Sequence, residues 1–180
     1  KMKLFCSQKE LEEALNIVNK AISSNNTLPV LNNILVKAEG KKLYFSATNL
    51  EIAISYFVDA DVRSEGAITV PAKLITSYVS LLTDEKVELS ITEGMALMVQ
   101  SSTSTTKIKG ISPDEFPLIP KVEAEHTFNV GTEELDDAVS ETVFAASTNV
   151  SRPVLSGVYC LIDGDSVKFV ATDSYRLAER

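Results

Sequence analysis

The sequence predicts an α+β fold made by repetition: a strand, an amphipathic helix and three more strands, with two such units forming one domain of two helices against antiparallel sheets. Three observations predict it. Residues 11–49 reappear, without a gap, 124 positions downstream. Apolar residues recur at helical 3–4 spacing in segments that follow short strands. Between the helices lie apolar-alternating runs of strand length, separated by Gly, Asn and Asp turns.

The repeat is dense. Pro29-Val30-Leu31 falls on Pro153-Val154-Leu155, Gly40 on Gly164, Phe45 on Phe169, and Ala47-Thr48 on Ala171-Thr172. Upstream, Leu11 falls on Leu135, Ala14 on Ala138, Ala21 on Ala145 and Asn25 on Asn149. The second copy starts near residue 126, and by the same spacing a complete copy runs to about residue 248, so the sequence reads as part of a longer chain. A smaller repeat sits inside the first copy.

Element by element, residues 3–6 alternate as a strand. "SQKELEEALNIVNKAISS" follows as a helix, with Ser7 and Glu10 as a capping box and Leu11, Ala14, Leu15, Val18 and Ile22 on one face. Strands are expected at 33–38, 42–47 and 50–58, the first two joined by a turn at Glu39-Gly40. "GAITV" then forms a strand, and Pro71 opens a second helix as its first-turn proline. That helix is expected to bury Leu74, Ile75, Tyr78 and Leu82. "KVELSIT", "ALMVQSS" and "TTKIKGIS" complete the first domain, residues 1–122. "SPDEFPLIP" reads as a linker. Residues 123–180 hold the first half of a second domain, opening with the helix "TEELDDAVSETVFAAS".

Charge and composition exclude more than they assign. The net charge of −8 is uneven: 13 Lys/Arg against 14 Asp/Glu in residues 1–122, and 4 against 11 in 123–180. Bulk charge therefore does not point to nucleic acid. No apolar run approaches membrane-spanning length, and "KMKLFCSQKE" lacks a leader pattern, so the setting expected is the cytoplasm. Two distant cysteines, Cys6 and Cys160, read as buried thiols. A single histidine, His126, leaves little for a multi-histidine metal site.

The outer face of the first helix carries Lys9, Glu12, Glu13, Asn16, Asn19, Lys20 and Ser23; the second shows Lys73, Thr76, Ser77 and Ser80. Such faces are ordinary solvated surfaces, or hydroxyl-rich surfaces that meet phosphates loosely. The third helix shows Glu133, Asp136, Asp137 and Ser140, which repel DNA unless turned away. The duplicated "ATN" and "ATD" suggest a carboxylate dyad, but Asn49 stands where the second copy has Asp173. Each pair more simply closes a turn through side-chain-to-backbone hydrogen bonds. No catalytic constellation, phosphate loop or metal-ligand spacing is present, and no cofactor is called for.

Four segments in order, "TLPVLNNILVKAEGKKLYFSATNLEIAI", "VPAKLITSYVSLL", "DEFPLIP" and "RPVLSGVYCLIDGDSVKFVATDSYRLAER", resemble the bacterial replicative sliding clamp, the beta subunit of DNA polymerase III. The resemblance spans essentially the whole chain. It implies the sliding-clamp (DNA clamp) fold: three domains per chain, of which this sequence carries the first and half of the second, with the third absent. It implies a head-to-tail homodimeric ring around double-stranded DNA, bound without regard to sequence. The replicative polymerase, the clamp loader and repair polymerases dock through short peptide motifs, and the clamp itself is a non-catalytic subunit. It places the peptide groove at Arg152, Leu155, Thr172, Ser174, Tyr175, Arg176 and Leu177, and the dimer edge at Lys107 and Lys109. DNA contact falls to Lys20, Asn25, Lys73 and Asn149. Where relatives often carry basic residues, this chain has Asn25, Asn26 and Ser80, so DNA contact is either unusually weak or carried by Lys20 and Lys73. The competing reading is a duplicated α+β enzyme or ligand-binding domain using the cleft between repeats.

Overall fold

Strand β1 (Lys3–Ser7) ends on the cap of helix α1 (Gln8–Asn19), where the Ser7 hydroxyl accepts a hydrogen bond from the Glu10 N–H at 3.4 Å. The predicted stripe is the buried one: Leu11, Ala14, Leu15 and Val18 face inward. The computed structural model describes residues 1–23, 28–120, 123, 127–149 and 151–180. These fall into two units, Lys1–Lys121 and Val122–Arg180.

In the first unit, β2 (Asn33–Glu39) and β3 (Lys42–Thr48) form a hairpin whose turn places Gly40 at φ +61°, a conformation that costs glycine little. β4 (Ala53–Asp59), β5 (Asp61–Ser64) and β6 (Gly66–Pro71) lead to helix α2 (Ala72–Val79). β7 (Lys86–Thr92), β8 (Ala96–Gln100) and β9 (Thr105–Lys109) follow. The strands make two antiparallel sheets, ordered β5-β1-β7-β8-β9 and β4-β3-β2-β6. α1 packs on α2, β1, β3 and β4, and α2 on β6. Between helices and sheets lies one continuous core, with Phe45, Leu4, Leu11, Leu15, Ile68, Leu89 and Leu97 fully buried. Past β9, Ile111 and Thr69 exchange backbone hydrogen bonds of 3.1 and 2.9 Å, tying the end of the five-stranded sheet to β6. Gly110 permits this approach: a Cβ there would lie 2.4 Å from the Thr69 carbonyl oxygen.

The structure corrects five expectations. The strand expected at 50–58 begins only at Ala53, because residues 49–52 form a turn. Pro71 is the N-cap of α2 rather than its first helical residue. Leu74 is 58% exposed; the buried stripe of α2 runs through Ala72, Ile75 and Val79, with Tyr78 half-buried. Leu74 lies one position from Ile75, so both cannot share a stripe that narrow. The "linker" is partly core: Phe116 is buried against Val30 and Leu31, with Leu35 and Ile119 alongside. Cys160 is exposed, and only Cys6 is buried.

The second unit contains α3 (Thr132–Val143) and a three-stranded antiparallel sheet, β10 (Tyr159–Asp163), β11 (Ser166–Thr172) and β12 (Leu177–Glu179). The Glu134 carboxylate accepts from the Gly131 N–H at 3.3 Å at the start of α3. Ala138, Ala145, Phe169 and Ala171 are buried. Leu135 is 38% exposed, whereas its repeat equivalent Leu11 is fully buried. The difference has a simple source: α1 is covered by α2, and the described residues of the second unit include no second α-helix.

Candidate functional site

The two Ala-Thr-Asx segments fold into the same turn. In the first copy, Thr48 Oγ1 donates to the Ile52 carbonyl at 2.7 Å and accepts from the Leu50 N–H at 3.0 Å. Asn49 Oδ1 accepts from the Glu51 and Ile52 N–H groups, both at 2.9 Å. In the second, Thr172 Oγ1 donates to the Arg176 carbonyl at 2.6 Å and accepts from the Ser174 N–H at 3.1 Å. Asp173 Oδ1 accepts from the Tyr175 and Arg176 N–H groups at 2.9 and 3.0 Å. Leu50 (φ +74°) and Ser174 (φ +79°) occupy the same left-handed position, uncommon for residues other than glycine. The turns differ in what they display: Leu50-Glu51-Ile52 in one, Ser174-Tyr175-Arg176 in the other.

The second turn forms one wall of a cleft of about 620 Å³. The opposite wall is the segment after α3, residues Ala146–Asn149, together with Ser151, Arg152 and Leu155. Of the residues assigned by resemblance to the groove, the cleft brings together Arg152, Leu155, Ser174, Tyr175 and Arg176. Thr172 sits beneath the turn, its hydroxyl consumed by it, and Leu177, exposed, opens β12 just outside the lining. Tyr175 is 98% exposed, so its ring is free to meet a ligand.

Arg152 donates from Nη1 to Ser174 Oγ at 3.3 Å, linking the two walls. Arg176 is fixed twice. Its Nε lies 3.0 Å from Asp173 Oδ2, and its guanidinium stands 5.6 Å from the centre of the Phe144 ring. The backbone N–H groups of Tyr175 and Arg176, with the Arg176 charge behind them, hold the Asp173 carboxyl below the usual carboxylate range. Two arginines against one aspartate thus make a cationic cleft in the acidic half of the chain. Sequence reasoning read Asp173 as a turn closer, as it is, but not as the anchor of Arg176, and it missed Ser147, Thr148 and Phe144. The 124-residue shift held part of the signal, since it carries Ser23 onto Ser147.

The remaining assigned residues lie elsewhere. Lys20 is exposed at the C-cap of α1, beside a shallow depression lined by Lys9, Glu12, Glu13, Asn16 and Ile17. Lys73 is exposed on α2 with Ser77 and Ser80, while Thr76, read as part of that face, has its hydroxyl oxygen buried. Asn149 is exposed in the wall of the cleft, its Oδ1 accepting from the Ser151 N–H at 2.9 Å. Asn25 lies outside the described residues. Lys107 and Lys109 are exposed on β9, which ends the five-stranded sheet.

Residues 2–120 match the family described as DNA polymerase III beta subunit, N-terminal domain, and residues 129–180 match the central domain of the same subunit. The chain belongs to the DNA polymerase III beta subunit family. Among relatives of this beta subunit chain, the beta sliding clamp of Synechocystis sp. is 37% identical over 185 residues, covering 98% of this chain and 47% of that protein. The crystal structure of the Bacillus subtilis sliding clamp superposes with a TM-score of 0.94 at 29% identity, over 99% of this chain and 49% of that one. The Thermotoga maritima beta subunit superposes at 0.92 and 32% identity, over 99% of this chain and 49% of that one. The chain spans about half the length of the curated relatives it matches. The beta subunit fold is therefore an α+β sliding-clamp fold in this chain. Among the described residues, no helix is long and apolar enough to cross a membrane.

Proposed function

We propose that this chain forms the first domain, and half of the second, of a processivity clamp that encircles duplex DNA as a ring and tethers the replicative polymerase. Residues 1–122 and 123–180 are the two parts, and the setting is the cytoplasm. The clamp is a non-catalytic partner of the polymerase: topology holds it on DNA, so a chain of net charge −8 needs no high affinity for phosphates. The observation that carries this reading is the match, in order, to the N-terminal and central domains of one family. Lys20 and Lys73 supply the loose phosphate contacts, with Asn25 and Asn149 as further contacts. Lys107 and Lys109 flank the edge where a second chain joins head to tail. The cleft around Arg152, Leu155, Ser174, Tyr175 and Arg176, extended by Thr172 and Leu177, takes the short peptide motifs of polymerases and of the clamp loader. Its exposed aromatic ring and fixed arginines suit a ligand with apolar anchors and an acidic or backbone acceptor.

The test uses the full-length protein loaded on nicked circular DNA. Gel filtration is expected to show retention that is lost when the circle is linearised. Lys73→Glu lowers loading, more so at low salt, since removing one phosphate contact reduces the salt slope by about one unit. Equal loss from circular and linear DNA refutes encirclement.

A further inference from the structure

The hairpin joining β8 to β9 is the most heavily hydroxylated stretch of the chain, Ser101-Ser102-Thr103-Ser104-Thr105. Its backbone is closed by Ser101 N–H donating to the Ser104 carbonyl at 2.8 Å. Ser101 Oγ accepts from the Thr103 and Ser104 N–H groups at 3.3 and 3.1 Å. Those bonds are internal to the hairpin. Two others are not. The Tyr78 hydroxyl, reaching from α2, lies 2.6 Å from Ser104 Oγ. The Asp84 carboxylate, in the connection from α2 to β7, accepts from Ser102 Oγ and, at 3.3 Å, from Thr103 Oγ1. The Ser102 hydroxyl above all, with those around it, holds the Asp84 carboxyl below the usual carboxylate range, so it stays an anionic acceptor at neutral pH.

An edge strand has a neighbour on one side only, so its position depends on the turn that delivers it. β9 begins at Thr105, directly after the stapled hairpin, and its neighbour is β8. We propose that Tyr78 and Asp84 are positioning residues for the β9 edge, holding the Ser101–Thr105 hairpin so that Thr105–Lys109 is presented in one register to a strand of a second clamp chain. That partner strand rests on the ring reading above. The same staple ties the edge to α2, the helix that carries Lys73.

The experiment has two arms. In the 180-residue chain, hydrogen exchange of the β9 amides is measured for wild type, Asp84→Ala, Asp84→Asn and Tyr78→Phe. Asp84→Ala is expected to speed exchange in β9 severalfold, while β2 and β3 amides are unchanged. Tyr78→Phe, which removes only the hydroxyl, gives a smaller acceleration in the same strand. Asp84→Asn, which keeps one acceptor oxygen, restores part of the protection. In the full-length chain, the dimer dissociation constant is expected to rise in the same order. Unchanged β9 exchange in Asp84→Ala overturns the proposal. Equal acceleration throughout the first unit overturns it too, because the residues are then merely stabilising. Faster β9 exchange with an unchanged dimer constant overturns the placement of the ring contact on β9 and leaves the staple intact.

Discussion

Replacing Gly110 with alanine tests how the two sheets of the first unit are closed. The added Cβ would sit 2.4 Å from the Thr69 carbonyl oxygen and 2.7 Å from the Ile68 side chain. Neither can yield cheaply. Ile68 is fully buried, and the Thr69 oxygen accepts from Ile111 at 2.9 Å. Restoring ordinary contact moves the backbones apart by about 1 Å, which takes both Thr69–Ile111 bonds out of range. Two backbone bonds at about 1 kcal/mol each plus about 1–3 kcal/mol of overpacking give a loss of roughly 3–5 kcal/mol. The control is Gly94→Ala: that position has open space around it but a φ of +76°. Its cost is confined to the left-handed backbone, about 1–2 kcal/mol. A urea series read by hydrogen exchange at the buried amides of β6 and β8 measures both. At a slope of about 2 kcal/mol per molar urea, Gly110→Ala shifts the midpoint down by roughly 2 M. A loss no larger than that of Gly94→Ala refutes the reasoning.

Two further outcomes follow from the second unit and the thiols. On the proposed clamp reading, Leu177→Lys in the full-length chain is expected to weaken binding of a polymerase-tail peptide by at least about thirtyfold, the scale of an interface hot spot, while the proposed ring still assembles; wild-type affinity by calorimetry places the groove elsewhere. Burial, reinforced by Glu10, pushes the Cys6 thiol up to about 12, while Cys160 is exposed. At pH 8 a disulfide reagent should therefore modify Cys160 promptly and Cys6 only after denaturant is added; two thiols reacting at one rate would contradict the burial.

The parts of this fold that were legible in the sequence are those governed by period. The stripe of α1, the β2–β3 hairpin and the two-sheet arrangement follow from 3–4 spacing, alternation and Gly40. Where competing local signals overlapped, period misled. Leu50 and Ile52 alternate like a strand, yet the Thr48 and Asn49 side chains capture the backbone first and turn it. Leu74 is as apolar as Ile75, but a helix of eight residues has one inward stripe, and the register went to Ala72 and Ile75. Phe116 was hidden by the prolines on either side of it, which signal a linker whether or not the aromatic between them is buried. For the cleft, a resemblance named Ser174-Tyr175-Arg176 in one wall and Arg152 and Leu155 in the other. The fixing of Arg176 by Asp173 and Phe144 depends on three-dimensional placement, which spacing in the sequence does not encode.

The pairing of β1 carries a kinetic consequence. β1 lies between β5 and β7, matched to Asp61–Ser64 and Lys86–Ser90. During synthesis it therefore leaves the ribosome about eighty residues ahead of its second neighbour, an interval on the order of ten seconds at about 5–20 residues per second. Through that interval the β2–β3–β4 meander, whose pairings are local, can assemble with α1 packed on β3 and β4, while β1 has only β5 to pair with. The nascent chain thus carries a strand open along one edge until β7 arrives. Slowing translation between residues 60 and 90 lengthens the exposure of that edge.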